Sequence, residues 1–272
     1  MNTLKSKTVV ITGASSGIGK ALAYASAQLG ANLVLGARNV QALEQVSQAL
    51  EASYGVQVRF MACDVRKEAD CEALITLGVE QFNRIDVLIN NAGISMKALF
   101  KDLDLQVLKD LMDVNFWGTV YCSKYALPAL LASKGTLVGV SSIAGFRGLP
   151  GRTGYSASKF AIHGFLESLR TENLKTGLHV MLACPGFTAS NIRHAALTEN
   201  GKQQGDSSME EGKMMTAEEV ADIILAGIQK RKRTLVMTRQ GKLAVWMNKI
   251  FPAWVDKQVF NLFAKEKNSL LK

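Results

Sequence analysis

Apolar positions along the 272-residue chain fall into short β-branched runs separated by longer stretches in which apolar and polar residues are mixed. The runs are Thr8–Ile11, Asn32–Gly36, Val56–Ala62, Ile85–Asn90, Gly135–Val140 and His179–Ala183. Runs of that length, apolar almost throughout, suit strands buried on both faces of a parallel sheet. Between them, Lys20–Leu29, Val40–Ser53, Glu68–Phe82, residues 104–131 and residues 155–173 read as helices. Strands and helices alternating at this spacing form βαβ units. Six in succession predict an α/β fold, a doubly wound parallel sheet between two layers of helices. TLVMT at 234–238 is a further strand, giving about seven. No shift in composition breaks the pattern, so residues 1–240 are expected to form one domain.

The alternation lapses after Ser190. Residues 195–215 are polar and rich in Gly, Ser and Gln, which predicts a mobile lid beside the sheet's active edge. A helix restarts at Thr216, where TAEE places Glu219 for a capping box. Beyond residue 240 the character changes again. Residues 241–265, GKLAVWMNKIFPAWVDKQVFNLFAK, set Trp246, Phe251, Trp254, Phe260 and Phe263 among spaced lysines. This predicts a helical extension, 241–272, of the kind that lies at an interface.

Charge sharpens that division. The net charge is +9, and residues 228–272, with eleven Lys/Arg against two Asp/Glu, carry all of it. The remaining chain balances 21 of each sign. The basicity therefore belongs to the tail, and no nucleic-acid-binding motif accompanies it, so no nucleic-acid partner is expected. Composition, 48% hydrophobic and 20% charged, is that of a soluble globular protein. Cys63, Cys71, Cys122 and Cys184 form no CxxC pair, and the three histidines show no metal-ligand spacing. Buried, reduced thiols and a cytoplasmic location follow as expectations. The N-terminal apolar run, TVVI, is too short for a signal peptide, and no run reaches the ~18 residues of a membrane span.

Two stretches carry candidate chemistry. TGASSGIGK at 12–20 joins the first strand to the first helix, with Gly13, Gly17 and Gly19 around Ser15, Ser16 and Ile18. At the first βα turn of such a sheet, glycines let main chain approach a pyrophosphate, and the helix N-terminus favours the anion. GYSASKFA at 154–161 puts Tyr155 and Lys159 four residues apart, on one face of a helix. An ordinary phenol titrates near ~10, too high for a proton shuttle at neutral pH, and a neighbouring cation lowers it. The pair therefore predicts a tuned general acid and base.

The T-G-x-x-x-G-x-G loop resembles that of the short-chain dehydrogenase/reductase family, and further matches follow in the family's order. Asp64-Val65 follows the third strand, Asn90-Asn91-Ala92-Gly93 the fourth and Pro185-Gly186 the sixth, while Asn115 sits in the long helix and Ser142 ends the fifth strand. Tyr155 and Lys159 come thirteen and seventeen residues after Ser142. The resemblance spans about residues 5–240 and implies a Rossmann-like three-layer sandwich around a nicotinamide dinucleotide.

It also implies roles. The glycine loop, Asp64, Val65, Asn91, Ala92, Gly93, Pro185, Gly186, the main chain near Thr188, and Ser190 would hold the cofactor. Ser190 stands where the family usually has threonine. Tyr155 would protonate the carbonyl oxygen in reduction and take the alcohol proton in oxidation. Lys159 would also hold the nicotinamide ribose, Ser142 would orient the substrate oxygen, and Asn115 would fix a relay water. Family members commonly dimerise through the Tyr155 helix, whose opposite face here carries Ala157, Gly164, Ser168 and Thr171. A homodimer or homotetramer is expected.

The second strand ends LVLGARN. Ala37 stands about where an acid would bind the ribose hydroxyls of NAD, and Arg38 follows, suited to a 2′-phosphate. The cofactor expected is NADP(H). Ser95, Met96, Leu149, Phe187 and the 195–215 loop are expected around the substrate. Relatives that handle lipids and steroids carry apolar C-terminal additions, which implies an apolar ketone or secondary alcohol. A 3-oxoacyl carrier-protein reductase shares every motif above. A non-catalytic NADP-binding sensor is the alternative of another kind. For the extension, a peripheral membrane anchor, a dimer contact and a flap over the substrate all remain open.

Overall fold

The computed structural model describes residues 4–189, 192–193, 195–205, 214–265 and 269–271. Strands β1 (Thr8–Thr12), β2 (Asn32–Ala37), β3 (Val58–Ala62), β4 (Val87–Asn90), β5 (Thr136–Val140), β6 (His179–Cys184) and β7 (Thr234–Val236) form one sheet in the order β3-β2-β1-β4-β5-β6-β7. Every pairing is parallel. Connecting them are α1 (Gly17–Gln28), α2 (Val40–Tyr54), α3 (Glu68–Phe82), α4 (Leu105–Leu111), α5 (Gly118–Ala132), α6 (Thr153–Glu172) and α7 (Ala217–Gln229). Two more helices, α8 (Arg239–Ile250) and α9 (Pro252–Ala264), make up the C-terminal extension.

Strand periodicity divides the core. Val9 and Ile11, Leu33 and Leu35, and Val87 and Ile89 face one apolar cluster, which residues of α1, α2 and α7 complete. Val10, Val34 and Leu88, the residues between, face a second cluster with α3, α5 and α6. Successive side chains point to opposite faces, so a strand apolar throughout can feed two layers of helices. Caps set several helix ends. The Asn39 side chain accepts from Ala42 N at 3.0 Å, and α2 stops at Gly55, φ +64°. The capping box at Thr216 and Glu219 is present, with bonds of 3.1 and 2.9 Å.

The chain winds from β1 outward to β3, then crosses back so that β4 pairs with the other side of β1. Loops leaving the carboxyl ends of β1 and β4 therefore diverge and open a crevice between them, the place where such sheets bind ligands.

Three elements differ from the sequence expectation. Helix α1 begins at Gly17 rather than Lys20, so the loop's later glycines form its first turn. Residues 104–131 are not one helix, because a π-helical turn over Met112–Trp117 separates α4 from α5. The Asn115 side chain within that turn is bonded to the main chain of Ile94 and to Ser158, and such turns recur at functional sites. The apolar tail is likewise two helices, with Pro252 at the first position of the second. Proline cannot donate within a helix but is suited to starting one.

Candidate active site

At the switch point, β1 and β4 are stitched together by side chains. Thr12 Oγ1 accepts from the main-chain nitrogens of Asn91 and Ala92 at 3.0 and 3.1 Å. Asn91 Nδ2 donates to the carbonyls of Thr12 and Gly13 at 3.0 and 3.3 Å. The glycines make this closeness possible. Gly13 takes φ +66°, and a Cβ on Gly19 would lie 2.2 Å from Gly13 O. Helix α1 is thus pressed against the end of β1. Ser16 caps α1 without a side-chain bond, and the first turn holds no acid. Its amide groups are left to an anion, which is what a dinucleotide pyrophosphate needs.

At the end of β2, Ala37 is buried, and Arg38 just beyond it is exposed. Asp64 follows β3 close enough to feel Arg38. The bonded guanidinium of Arg66 holds its carboxyl below the usual range, burial opposes, and Arg38 adds to the lowering.

Strand β5 delivers Ser142 just past its end, where Oγ accepts from Ala144 N at 3.2 Å and caps a short turn. Beside it, Ser141 Oγ meets His163 Nε2 at 2.8 Å. Burial, then Lys159, pushes His163 down to about 4, so it is neutral at physiological pH. Helix α6 brings Tyr155 and Lys159 to the same place. Lys159 is 3% exposed, its ammonium donates to Val140 O at 2.9 Å, and it lies 5.7 Å from the centre of the Tyr155 ring. Burial pushes it down to about 8.

The phenol itself corrects the simple Tyr–Lys argument. Burial raises the Tyr155 pKa above its ordinary value, and the lowering influences of Ser142, Arg152 and Arg193 offset this only in part. At neutral pH the tyrosine is held protonated, the form that can donate to a carbonyl oxygen.

One cleft of about 410 Å³ gathers most of the expected residues. Gly13, Ser15, Ser16, Gly17 and Ile18 line one end with Arg38, Asp64 and Val65. Asn91, Ala92, Gly93, Pro185, Gly186 and Thr188 line the middle. Ser142, Tyr155 and Lys159 share the other end with Ser95, Leu149 and Phe187.

Three expected residues are not on the wall. Gly19 is packed beneath it, as its contact with Gly13 requires. Asn115 is fully buried. Its Oδ1 accepts from Ile94 N at 2.8 Å, and its Nδ2 donates to Ile94 O and Ser158 Oγ at 3.0 and 2.8 Å. Met96 points away. Leu197 N donates to Ser95 O, and Lys97 N to Leu197 O, both at 2.9 Å. This strand-like pairing turns Ser95 toward the cleft and Met96 into an apolar cluster with Leu103, Val107 and Leu111. Of the 195–215 loop, Ala195 alone among the described residues lines the cleft. Ser190 lies outside the described residues.

Arg152, Ile192 and Arg193 line the cleft without belonging to any motif. The one signal for Arg152 is its position three residues before Tyr155, on the edge of the same helix. Nothing local marks Arg193, whose guanidinium sits over the Phe187 ring at 5.2 Å. The four cysteines are buried and unpaired by disulfides. Burial pushes Cys184 up to about 12.

Comparison with known proteins agrees with this geometry. The family model for short chain dehydrogenases matches residues 7–201. The chain is 34% identical over 262 residues to an 11-beta-hydroxysteroid dehydrogenase A of Sesamum indicum, covering 94% of this chain and 75% of that one. It is 36% identical over 276 residues to the dehydrogenase/reductase SDR family member 7B of Bos taurus, covering 98% and 84%. A short chain dehydrogenase/reductase of Burkholderia phymatum solved with NAD superposes with a TM-score of 0.82 at 25% identity, covering 95% of this chain and 97% of that one. An alcohol dehydrogenase of Thermococcus sibiricus complexed with 5-hydroxy-NADP gives a TM-score of 0.74 at 27% identity, covering 84% and 94%.

Proposed function

The chain belongs to the short-chain dehydrogenase/reductase family, oxidoreductases that act on CH–OH groups, and on that premise we propose that it interconverts an apolar ketone or aldehyde and the corresponding alcohol with NADP(H). The observation that carries the reading is the sharing of one cleft by the glycine loop, Arg38 and the Ser142–Tyr155–Lys159 cluster.

The residues present fit a dinucleotide. The close-packed glycines and the open first turn of α1 suit the pyrophosphate, and Arg38, with no acid at Ala37, suits a 2′-phosphate. When bound, the cofactor supplies or accepts the hydride. The chain's own residues handle the proton. Tyr155 gives its phenolic proton to the carbonyl oxygen in reduction and takes it back in oxidation, while Ser142 hydrogen-bonds the same oxygen and orients it. Lys159, anchored on Val140 O, sets a positive charge behind the phenol that stabilises the phenolate formed on proton transfer. Asn115 acts at one remove. It ties the 93–95 segment to α6 and so positions the floor of the site.

Ile94, Leu149, Phe187 and Ile192 give the substrate end apolar walls, and the likeness to a hydroxysteroid dehydrogenase supports a lipid- or steroid-like compound. Self-association belongs to the same reading. Ala157, Phe160, Gly164, Ser168 and Thr171 stay exposed along α6, and a Cβ on Gly164 would meet nothing within 4 Å. The small-residue face is thus open to a second copy.

The test is NADPH oxidation against a panel of steroid, retinoid, acyl and sugar carbonyls. Turnover of an apolar ketone is expected, and Tyr155→Phe should lower kcat by about 10²-fold or more while NADPH binding, read by fluorescence, persists. Near-normal turnover by that variant would overturn the mechanism.

A further inference from the structure

The C-terminal helices are fastened to the body along one side. On α8, a Cβ at Gly241 would lie 2.7 Å from Ile143 Cδ1. Asn248 accepts from Arg147 at 3.2 Å and donates to Phe146 O at 3.4 Å. Gly241 and Asn248 are two helical turns apart and share a face. Leu243, Trp246 and Ile250 follow i, i+3, i+7 spacing on the opposite face and remain 59%, 55% and 48% exposed. On α9, Val255 and Phe263 turn inward, while Trp254, Phe260 and Leu262 stay about half exposed, as does Phe251 at the junction. Seven large apolar side chains within residues 243–262 thus face solvent. Single exposed apolar residues are ordinary, but seven on two consecutive helices mark an interaction surface.

The charges beside the patch indicate what covers it. Lys242 and Lys249, also two turns apart, flank the α8 stripe, and Arg239, Lys257 and Lys265 are exposed on the same two helices or at their ends. The single acid on α8 and α9, Asp256, is engaged by Arg147 of the body. The same two helices of a second copy would bring lysines but no spare carboxylate to answer them, and like charges across an interface are unfavourable. A lipid surface with anionic headgroups answers both the apolar stripe and its cationic rim. Spanning is excluded for these elements. Helices of 12 and 13 residues are roughly 20 Å long, short of a hydrocarbon core of about 30 Å. No described helix is long and apolar enough to cross a membrane.

We propose that the outward face of α8 and α9 seats on a membrane surface containing anionic lipid. Trp246, Phe251 and Trp254 enter the headgroup boundary and the lysines meet the phosphates. The same helices hold the 143–152 segment through Arg147 and through Phe263, whose ring lies 4.8 Å from the Arg152 guanidinium. Leu149 and Arg152 of that segment line the cleft. Docking therefore sets the cleft beside the lipid, where an apolar carbonyl compound is concentrated. That consequence rests on the reductase reading, whereas the docking itself does not.

The experiment is flotation of the full chain with vesicles of phosphatidylcholine alone, or with about a third phosphatidylserine, at low and high salt. The protein should float with the anionic vesicles at low salt, and tryptophan emission should shift to shorter wavelength. Binding should fall at least tenfold for Trp246→Ser/Trp254→Ser and for Lys242→Glu/Lys249→Glu. Absence of flotation, or flotation untouched by both pairs, would overturn the proposal. So would a wild-type dimer that fails to float and that the tryptophan pair converts to monomer in light scattering. NADPH turnover of a water-soluble carbonyl on the same samples separates the two readings. Loss of turnover with flotation intact counts against the reductase alone.

Discussion

The Lys159 ammonium donates to the main-chain oxygen of Val140 at 2.9 Å. This bond ties the middle of the first half of α6 to the last residue of β5, two positions before Ser142. Tyr155 and Ser142, the proposed acid and its helper, are thereby held in one frame, since Tyr155 lies one turn before Lys159 on the helix and Ser142 follows the strand directly. A lysine spent on a carbonyl is also a lysine kept out of water, and its proton is correspondingly loose.

Burial pushes Lys159 down to about 8 from an ordinary 10.5. Carbonyl reduction should therefore slow as pH rises through about 8, when the charge behind the phenol is lost. Lys159→Met should lower kcat by about 10²-fold or more and remove that alkaline limb. Stability should move the other way. Between about 8 and 10.5 the unfolded chain holds the proton that the folded chain has released, so this group makes stability rise with pH there. The cost of a buried ammonium is fully present below that window. Parallel rate profiles and thermal melts check both signs, and an activity loss that tracks unfolding would contradict the account.

Arg38 lines the cleft and follows Ala37, so no acid stands beside it; in the proposed NADP(H) reading it meets the 2′-phosphate. Arg38→Asp should shift the ratio of kcat/KM for NADPH over NADH by ten- to a hundredfold toward NADH. That is the scale of one charge-assisted hydrogen bond, about 1.5–3 kcal/mol. An unchanged ratio would remove Arg38 from cofactor selection.

A methyl group at residue 19 has no room. The nearest atom, Gly13 O, would be 2.2 Å from the new carbon, and the atom in the way is main chain. Gly19→Ala should displace α1 from β1, cost on the order of 1–3 kcal/mol in stability and weaken NADPH binding at least tenfold. Fluorescence titration and melts measure the two effects. Unaltered affinity would show that this close packing does not shape the pyrophosphate site.

Gly164 is the reverse case. Its Cβ position is open, so Gly164→Glu should leave the monomer's fold intact and gain up to about 1 kcal/mol of helix propensity. In the assembly it would place a carboxylate in the proposed α6 contact. The mass by light scattering should fall to that of one chain. A mass unchanged from wild type would place the contact elsewhere.

The sheet, its helices and the glycine loop were legible along the chain because each is announced locally. A strand is a short apolar run, a βα turn is a glycine cluster between two periodicities, and Tyr155 and Lys159 share a face through helix geometry alone. What joins distant segments was not legible. Arg147 meets Asp256 across 109 positions, Asn115 reaches Ser158 across 43, and Arg193 comes to the tyrosine's cleft from a position just ahead of the 195–215 loop that no motif marks. Met96 looked like a wall residue until pairing with Leu197 turned it inward. The tail's apolar character was plain, but its break at Pro252 and its grip on the 143–152 segment were not. The direction of the Tyr155 shift likewise depended on the fold. Spacing names the nearest charge, whereas desolvation depends on everything that closes around the phenol, and that is settled only when the chain has packed.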